Sequence, residues 1–283
     1  MDAALLAGLG GTRRAPRYPA SDQPETGSGV PRKTSRLAER TGAAHAEHMT
    51  TTLITGANKG LGFETARQLI AAGHTVYIGA RNADRGRLAA EQLGARFVTL
   101  DVTDDASVAA AVDAIDAEGG LDVLINNAGI EGRTEGNGIV DAAQVTAGSM
   151  REIFDTNVFG TVRVIHAFLP LLTRSASPVM VNVSSGLASL SQVASPDSPT
   201  YFYPGVSYPA SKAAVNMLTI QLAKQFPTMR INAVEPGFTK TDLNGQTGTQ
   251  TVDEGAAIIV RMAQVAPDGP TGQFVSSHGI IPW

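Results

Sequence analysis

A short β-branched run leads directly into a glycine-rich segment and then into a helical pattern. The run is TTLIT at residues 51–55, the glycine-rich segment is GANKGLG at 56–62, and the helical pattern continues to Ile70. Glycines let the chain turn sharply and let a phosphate approach the backbone, while the N-terminus of the next helix offers free N–H groups. The segment therefore predicts a dinucleotide-binding turn, and an ordinary tight strand-to-helix turn is the alternative. The predicted cofactor contacts in this turn are Gly56, Asn58, Lys59, Gly60, Leu61 and Gly62.

Strand-like runs alternate with helical patterns through the rest of the chain. Six further runs read as strands, at residues 75–80, 95–102, 121–125, 179–183, 230–234 and 273–276. Alternation of this kind is typical of a parallel sheet whose strands are joined by helices. We therefore expect a single α/β domain with a doubly wound (Rossmann) parallel sheet of about seven strands, helices on both faces, and ligands at the carboxyl ends of the strands.

The N-terminal stretch, residues 1–48, differs in composition from the remainder. It is rich in Gly, Pro, Ser, Thr and Arg and has no sustained helical or strand period. Its apolar cluster at residues 3–9 is preceded by Asp2 instead of a cation, which is unlike a secretory signal. We expect a disordered extension, or an upstream start before a functional protein that begins at Met49, in preference to a targeting peptide. The folded domain is expected to span residues 49–283.

The composition excludes several classes of function. The chain of 283 residues has no cysteine, which removes disulfides, thiol catalysis and zinc-thiolate sites, and we predict no metal site. The net charge of -4 is modest, and no basic stripe in the folded part marks a nucleic-acid interface. No apolar run approaches the roughly 20 residues that a membrane-spanning helix needs. We therefore expect a cytoplasmic protein that binds neither nucleic acid nor a membrane.

The end of the second predicted strand bears on the choice of cofactor. In this fold that position faces the adenosine ribose, where a carboxylate binds a 2′-hydroxyl and a guanidinium accommodates a 2′-phosphate. The chain has Arg81 there and no acid, and Lys59 adds a second cation. We therefore predict NADP(H) in preference to NAD(H), with a solvated surface charge as the alternative for Arg81. At the end of the third strand, Asp101 and Val102 are expected to meet the adenine edge.

Two polar segments follow the fourth and fifth predicted strands. Asn127, Ala128 and Gly129 come after the fourth strand, where small residues let a ribose lie against the backbone; alternatively, Asn127 only ties neighbouring strands together. Ser184 and Ser185 come after the fifth strand, at the edge where ligands gather in open α/β sheets. Both segments are therefore candidates for contact with a bound cofactor or substrate.

Tyr208 and Lys212 are four residues apart, which places both side chains on one face of a helix. A phenol beside an ammonium is a candidate proton donor, because a nearby lysine and a cationic cofactor ring stabilise the phenolate. Lowering the pKa of a tyrosine from about 10 by about three units takes roughly 4 kcal/mol of such stabilisation. Because Pro209 is tolerated in a first turn, we expect the helix to begin at about Ser207, with Ser207 as its cap. A chance occurrence on an amphipathic helix is the alternative.

Asn157 lies inside a long helical pattern that spans residues 149–173. A helix interior is unfavourable for asparagine, because its side chain competes with the backbone for hydrogen bonds. One interpretation is a local kink whose freed groups hold a water molecule leading to Lys212. The alternative is an asparagine on the helix surface.

In their order along the chain, these motifs resemble the short-chain dehydrogenase/reductase family, and within it the carbonyl reductase-like, single-domain branch. The matching residues are TGANKGLG at 55–62, Asp101, NNAG at 126–129, Asn157, the VSS that ends at Ser185, Tyr208 with Lys212, and PGFTKT at 236–241. The end of the chain, residues 272–283, is also similar, so the resemblance covers about residues 50–283. It implies that residues 49–283 form an NADP-binding domain of this family.

The resemblance implies a catalytic tetrad of Asn157, Ser185, Tyr208 and Lys212. It also implies that the loop after the sixth strand holds the cofactor, with Phe238 near the nicotinamide carboxamide and Thr241 near the pyrophosphate. The implied cofactor contacts from these regions are Tyr208, Lys212, Pro236, Gly237, Phe238, Thr239 and Thr241.

The predicted function is an NADPH-dependent oxidoreductase that transfers a hydride between the nicotinamide and a small-molecule carbonyl or alcohol. In this hypothesis Tyr208 donates the proton and Ser185 binds the substrate oxygen. The alternative is a non-catalytic NADP(H)-sensing regulatory protein on the same fold. An epimerase or dehydratase is a nearer rival, but such enzymes usually need a longer substrate-binding region.

One departure from the family pattern lies between Ser185 and Tyr208. The two residues are 23 positions apart, whereas members of the family usually place them much closer together. The extra material, residues 195–205, is proline-rich and contains a cluster of aromatic residues. It either roofs the substrate pocket or blocks the helix pairing by which relatives commonly oligomerise, so the protein is expected to be a monomer or a homo-oligomer. Residues 244–251 suit either a mobile lid or an ordinary exposed loop.

Overall fold

The structure, a computed structural model, describes residues 49–283, and the predictions for residues 1–48 lie outside the described residues. Its strands are β1 (Thr51–Thr55), β2 (Thr75–Ala80), β3 (Arg96–Thr99), β4 (Val123–Asn126), β5 (Val179–Val183), β6 (Arg230–Val234), β7 (Phe274–Ser276) and β8 (Gly279–Ile280). They form one sheet of eight strands in the order β3-β2-β1-β4-β5-β6-β7-β8.

The strands β1 to β7 pair in parallel, and β8 pairs antiparallel with β7. The predicted doubly wound parallel sheet is therefore confirmed, with one strand more than expected. β8 has two residues, which is too short for an alternating pattern of apolar and polar side chains to be visible. It begins at Gly279, whose φ of 122° favours glycine.

The helices of the described residues are α1 (Gly60–Ala71), α2 (Ala83–Leu93), α3 (Asp105–Ala117), α4 (Ala147–Phe154), α5 (Thr161–Leu172), α6 (Leu190–Val193), α7 (Ser207–Gln225) and α8 (Val252–Ala263). Apolar residues of α3, α5 and α7 form one buried cluster with the sheet, and those of α1, α2 and α8 form another. Leu53 of β1 belongs to the first cluster and its neighbour Ile54 to the second, because successive side chains of a strand point to opposite faces. The expected helices on both faces are therefore confirmed.

The helical pattern at residues 149–173 is interrupted where Asn157 lies. A π-helical turn, Asp155–Gly160, separates α4 from α5, and Asn157 is buried in it. Such turns widen the helix locally and are frequent at functional sites. Gly160 lets this turn pass close to the loop after β3, since a Cβ there would lie 2.8 Å from Cγ2 of Val102. The kink considered for Asn157 is present, and a position on the helix surface is wrong.

Helix α7 begins at Ser207, as expected, with Tyr208 and Pro209 in its first turn. The predicted cap is wrong: Val206 is the capping residue, and no side chain caps this helix. A capping side chain accepts a hydrogen bond from the second or third N–H of the helix. Pro209 is the third residue of α7 and has no N–H, so it removes one of the two groups that a cap would bind.

The third strand is shorter than predicted. β3 ends at Thr99, so Asp101 and Val102 lie in the loop that follows it. Leu100 still donates a hydrogen bond to the carbonyl of Ala80 at 3.1 Å, which keeps the start of this loop beside the end of β2. Among residues 49–283, none of the helices combines the length and the apolar character that crossing a membrane requires.

Candidate active site

The glycine-rich turn brings the backbone of α1 against the end of β4. Gly56 and Gly60 have φ angles of 66° and 59°, in the left-handed region that favours glycine. At Gly62, a Cβ atom would lie 2.6 Å from Nδ2 of Asn127 and 2.8 Å from Cα of Ala57. The turn therefore leaves no room for a side chain at its inner face, and the first N–H groups of α1 remain accessible to an anion.

We expect Gly62→Ala to lower the free energy of unfolding by about 1–3 kcal/mol, because the added methyl must displace backbone or the Asn127 amide. Urea unfolding followed by circular dichroism measures this loss. Gly148→Ala is the matched control, since a Cβ there would lie 3.6 Å from Oγ1 of Thr146, an ordinary contact on helix α4. Equal stability of Gly62→Ala and the wild type would contradict the close approach described here.

Asn127 links the ends of β1 and β4. Its Nδ2 donates to the carbonyl of Thr55 at 2.9 Å, and Thr55 Oγ1 accepts hydrogen bonds from the N–H groups of Asn127 and Ala128 at 3.0 and 2.9 Å. The strand-tying role considered for Asn127 is therefore present. In the glycine-rich turn, Leu61 packs toward Gly255 of α8, which leaves its backbone as the part that faces the turn.

The residues expected at the adenosine end lie on the loops after β2 and β3. Arg81 is exposed directly after β2, and Val102 is buried. Asp101 accepts hydrogen bonds at its carboxylate from the N–H and the hydroxyl of Thr103 at 2.9 and 2.7 Å. Burial alone would raise the pKa of Asp101, but the Thr103 hydrogen bonds and the positive charge of Arg81 outweigh it and lower the pKa. Asp101 is therefore a fixed carboxylate near Arg81.

The loop after β6 lies against the glycine-rich turn. Cγ2 of Thr241 is 3.7 Å from the position that a Cβ of Gly60 would take. Lys59 Nζ forms an ion pair with Asp242 at 2.7 Å, with both side chains more than half exposed. Thr241 thus lies beside the start of α1, and Lys59 already has a carboxylate partner.

The first part of the same loop is held by Gln250. Its side-chain amide donates to the carbonyl of Pro236 and to Oγ1 of Thr239, the latter at 2.8 Å. Gly237 has a φ of 84°, and Phe238 is exposed. The Thr239 side chain is therefore turned into its own loop, and the residue as a whole is buried.

Ser185 and Tyr208 meet at the carboxyl end of β5. Ser185 follows the strand directly, and its side chain lies close enough to interact with that of Tyr208, which is buried in the first turn of α7. The two residues are brought together although residues 186–207 separate them along the chain.

Lys212 and Asn157 meet beside Gly129, near Tyr208. Lys212 Nζ is 5.7 Å from the centre of the Tyr208 ring and donates to the carbonyl of Val183 at 2.7 Å. Asn157 Nδ2 donates to Ser211 Oγ at 3.0 Å. A Cβ on Gly129 would lie 3.3 Å from Oδ1 of Asn157 and 3.5 Å from Nζ of Lys212, so both polar atoms converge on this glycine.

Asn157 also fixes the segment after β4. Its side chain accepts a hydrogen bond from the N–H of Ile130 and donates one to the carbonyl of Ile130, both at 2.8 Å. The backbone carbonyl of Asn157 accepts a hydrogen bond from Thr161 Oγ1 at 2.8 Å. The π-helical turn thus directs the Asn157 side-chain amide toward the segment after NNAG, and both the oxygen and the nitrogen of this amide are hydrogen-bonded.

The side chains of the protein raise the pKa of Tyr208. Burial is the largest cause, the negative charges of Glu131 and Glu235 act in the same direction, and the hydrogen bond with Ser185 acts against them. Burial also lowers the pKa of Lys212 to about 8. We had expected Lys212 to lower the pKa of the Tyr208 phenol, but the protein side chains alone do not produce this shift. Burial disfavours the charged forms of both Tyr208 and Lys212.

Several residues at this site were missed by the sequence analysis. Tyr203 Oη donates to Glu131 Oε1 at 3.0 Å, and Arg133 Nε forms an ion pair with Glu131 at 2.7 Å. Glu235 follows β6 and accepts a hydrogen bond from the N–H of Gly237 at 2.8 Å. Tyr203 had been noticed within the aromatic cluster, but no pattern marked the carboxylates. Across the described part of the chain, no three His, Asp or Glu side chains gather as metal ligands.

Comparisons with known proteins agree with this geometry. The model of the short chain dehydrogenase family matches residues 50–251. Short-chain dehydrogenase/reductase 1 of Saponaria officinalis is 34% identical over 295 residues, covering 82% of this chain and 95% of the relative. The (+)-neomenthol dehydrogenase of Arabidopsis thaliana is 34% identical over 285 residues, covering 79% of this chain and 95% of the relative.

A solved structure of a carbonyl reductase is also similar to this chain. The NADPH-bound carbonyl reductase from chicken fatty liver superposes with a TM-score of 0.71 and 29% identity, covering 83% of this chain and 99% of that one. The fold, the order of the motifs and these relatives together account for an oxidoreductase that acts on carbonyl and alcohol groups with a nicotinamide cofactor. The chain therefore belongs to the short-chain dehydrogenase/reductase family.

Proposed function

We propose that Asn157, Ser185, Tyr208 and Lys212 are the catalytic residues of an NADPH-dependent carbonyl reductase. The observation that carries the proposal is the convergence of these four side chains at the carboxyl ends of β4 and β5, beside the glycine-rich turn. NADP(H), when bound, supplies or accepts the hydride. The turn fits such a cofactor, because Gly56 and Gly60 provide its left-handed bends and the start of α1 offers N–H groups to phosphate.

Each of the four side chains has a defined task in this proposal. Tyr208 donates a proton to the substrate oxygen as a general acid. Ser185 hydrogen-bonds the same oxygen as negative charge develops on it. Lys212 binds the nicotinamide ribose. Asn157 holds the relay water.

We propose NADP(H) as the preferred cofactor. Arg81 supports this choice, because it is exposed after β2 and makes no ion pair within residues 49–283. The chicken carbonyl reductase is described as NADPH-bound, which supports it further. The proposed contacts are Gly56, Asn58, Lys59, Gly60, Leu61, Gly62, Arg81, Asp101, Val102, Asn127, Ala128, Gly129, Tyr208, Lys212, Pro236, Gly237, Phe238, Thr239 and Thr241.

We expect Arg81→Glu to weaken NADPH binding at least about tenfold and to leave NADH binding unchanged or tighter, because a carboxylate repels a 2′-phosphate and accepts a 2′-hydroxyl. Fluorescence titration with each cofactor measures the two dissociation constants. Arg87→Glu is the matched control: it makes the same change in charge on α2, where Arg87 pairs with Asp84 at 3.5 Å. Unchanged NADPH binding in Arg81→Glu, or tighter NADH binding by the wild type, would overturn the proposed preference.

The activity itself is tested by following NADPH absorbance with a panel of nitrobenzaldehyde, phenanthrenequinone and menthone. Consumption of NADPH with any of these carbonyls is the expected result. No consumption with a broad panel of aldehydes, ketones and quinones would instead favour the cofactor-sensing alternative. We propose further that residues 49–283 form the NADP-binding domain, that the protein is a monomer or a homo-oligomer, and that it acts in the cytoplasm.

A further inference from the structure

A segment that carries no recognised motif lies beside the proposed proton donor. Residues 130–141 leave β4, and Arg133 and Ile139 form an antiparallel bridge within them. Arg133 Nη1 also donates to the carbonyl of Asn137 at 2.8 Å, which closes the bend of this hairpin. We call residues 130–141 the β4 hairpin. It is the part of the chain that presents Glu131 to the site.

The β4 hairpin is joined to the extra loop at residues 195–205. Asp141 pairs with Gly205 in a second antiparallel bridge, and the N–H of Ala142 donates to the carbonyl of Pro204 at 3.1 Å. Tyr203 adds a side-chain link by donating from its phenol to Glu131. The last residues of the extra loop therefore fix it to the β4 hairpin. They lie directly before the start of α7, which contains Tyr208.

The Glu131 carboxylate is the shared partner in this arrangement. One oxygen accepts the Tyr203 phenol at 3.0 Å and the other pairs with Arg133 at 2.7 Å. The Glu131 side chain is only 7% exposed, and the Arg133 side chain is 17% exposed. Exposed ion pairs are screened by water and contribute little. Here the screening is weak, so the charges of Glu131 and Arg133 act on neighbouring groups.

Both phenols are affected by this carboxylate. The charge of Glu131 raises the pKa of Tyr208 and that of Tyr203, after burial as the largest cause in each case, and the two phenols interact with each other. The other groups that bear on Tyr208 are Glu235 at the end of β6, Ser185 after β5 and Lys212 on α7. Glu235 is in turn influenced by His278. Among these acidic groups, Glu131 forms an ion pair with Arg133.

We propose that Glu131 is a positioning residue of the reductase site: with its carboxylate fixed by Arg133, it holds Tyr203 and the end of the extra loop in place directly before Tyr208. This inference rests on the proposed function of Tyr208. In alcohol oxidation, the phenolate of Tyr208 takes the hydroxyl proton while the carbon gives its hydride to NADP+. A negative charge nearby disfavours that phenolate, so alcohol oxidation should need a higher pH.

The test compares the pH dependence of kcat/KM for oxidation of nitrobenzyl alcohol by NADP+ in two variants with opposite charge changes. Glu131→Gln removes the negative charge, so the rise of activity with pH should move to lower pH by about half a unit or more. Arg133→Met leaves Glu131 unopposed, so the rise should move to higher pH. A purely structural disturbance does not produce shifts of opposite sign.

Two further measurements test the link to the extra loop. Tyr203→Phe should raise KM for nitrobenzaldehyde several-fold while leaving the pH profile in place, because the charge of Glu131 remains. In the cofactor-free protein it should also speed cleavage by chymotrypsin at Phe202, which is 76% exposed. Tyr201→Phe is the matched control, since Tyr201 lies in the same loop and makes only a ring contact with Phe202.

Shifts of the same sign in Glu131→Gln and Arg133→Met, or profiles that coincide with that of the wild type, would overturn the proposal. So would an unchanged KM and an unchanged cleavage rate in Tyr203→Phe. If Glu131→Gln does not fold, the pH profile of Arg133→Met and the KM of Tyr203→Phe still test the proposal. A wild-type enzyme that turns over no carbonyl or alcohol would contradict the proposed function. An active enzyme whose variants keep the wild-type pH profile would contradict only the role proposed for Glu131.

Discussion

Tyr208→Phe is expected to lower kcat for carbonyl reduction by about 10²- to 10⁴-fold, the usual contribution of a general acid. The ring remains packed at the start of α7, while the hydroxyl that interacts with Ser185 is lost. NADPH binding should be nearly intact, because the glycine-rich turn and Lys212 are unchanged. Single-turnover kinetics with nitrobenzaldehyde, together with fluorescence titration of NADPH, separate the two effects.

The control for this variant is Tyr201→Phe, because Tyr201 is 47% exposed and lies outside the convergent side chains. It should have wild-type kcat and wild-type NADPH binding. A fully active Tyr208→Phe would mean that the proton comes from another group, and the neighbouring phenol of Tyr203 would be the first to examine. Loss of NADPH binding in Tyr208→Phe would instead show that the phenol is needed to hold the cofactor.

Asn157→Ala is expected to reduce both stability and turnover. The variant leaves the N–H and the carbonyl of Ile130 and the hydroxyl of Ser211 without their present partner, and each unsatisfied buried group costs about 1–3 kcal/mol. We therefore expect a loss of at least about 2 kcal/mol in the free energy of unfolding. Because the segment after β4 is released, kcat should fall by about 10- to 100-fold through misplacement of the reacting groups.

Urea unfolding and steady-state kinetics at a temperature well below the transition measure the two losses separately. Thr146→Ala is the matched control: Thr146 caps α4, the helix that leads into the π-helical turn, and caps are worth about 1 kcal/mol. It should lose a little stability and no activity. An Asn157→Ala protein as stable and as active as the wild type would contradict the roles described for this amide.

The sheet and the glycine-rich turn could be predicted because each leaves a local mark in the sequence, whereas the set of four side chains was implied by the family resemblance. Strands show runs of β-branched residues, and the turn shows glycines at fixed offsets. Asn157 was marked by being out of place in a helix, and the π-helical turn is the physical reason. The polar residues after β5 were marked by their position at the end of a buried strand.

The contacts made by Glu131 could not be predicted, for a physical reason. Tyr203 and Glu131 are 72 residues apart, and both lie in irregular backbone that has no periodicity to read. The pKa direction of Tyr208 was also beyond reach of the sequence, because it depends mainly on how deeply the folded protein buries the phenol. The missing cap of α7 was a local error: the N–H that Pro209 lacks was treated as a group without a partner, and not as one that a capping side chain would bind.

The strand order has a consequence for how the chain is made. β1 is an inner strand, paired with β2 on one side and with β4 on the other, where Thr52 lies opposite Val123. β1, β2 and β3 leave the ribosome first, so one edge of β1 stays open until β4 has been synthesised. Open strand edges promote association between nascent chains, and long-range parallel pairing is slow. Demand for chaperones should therefore be greatest while the segment between β3 and β4 is being translated.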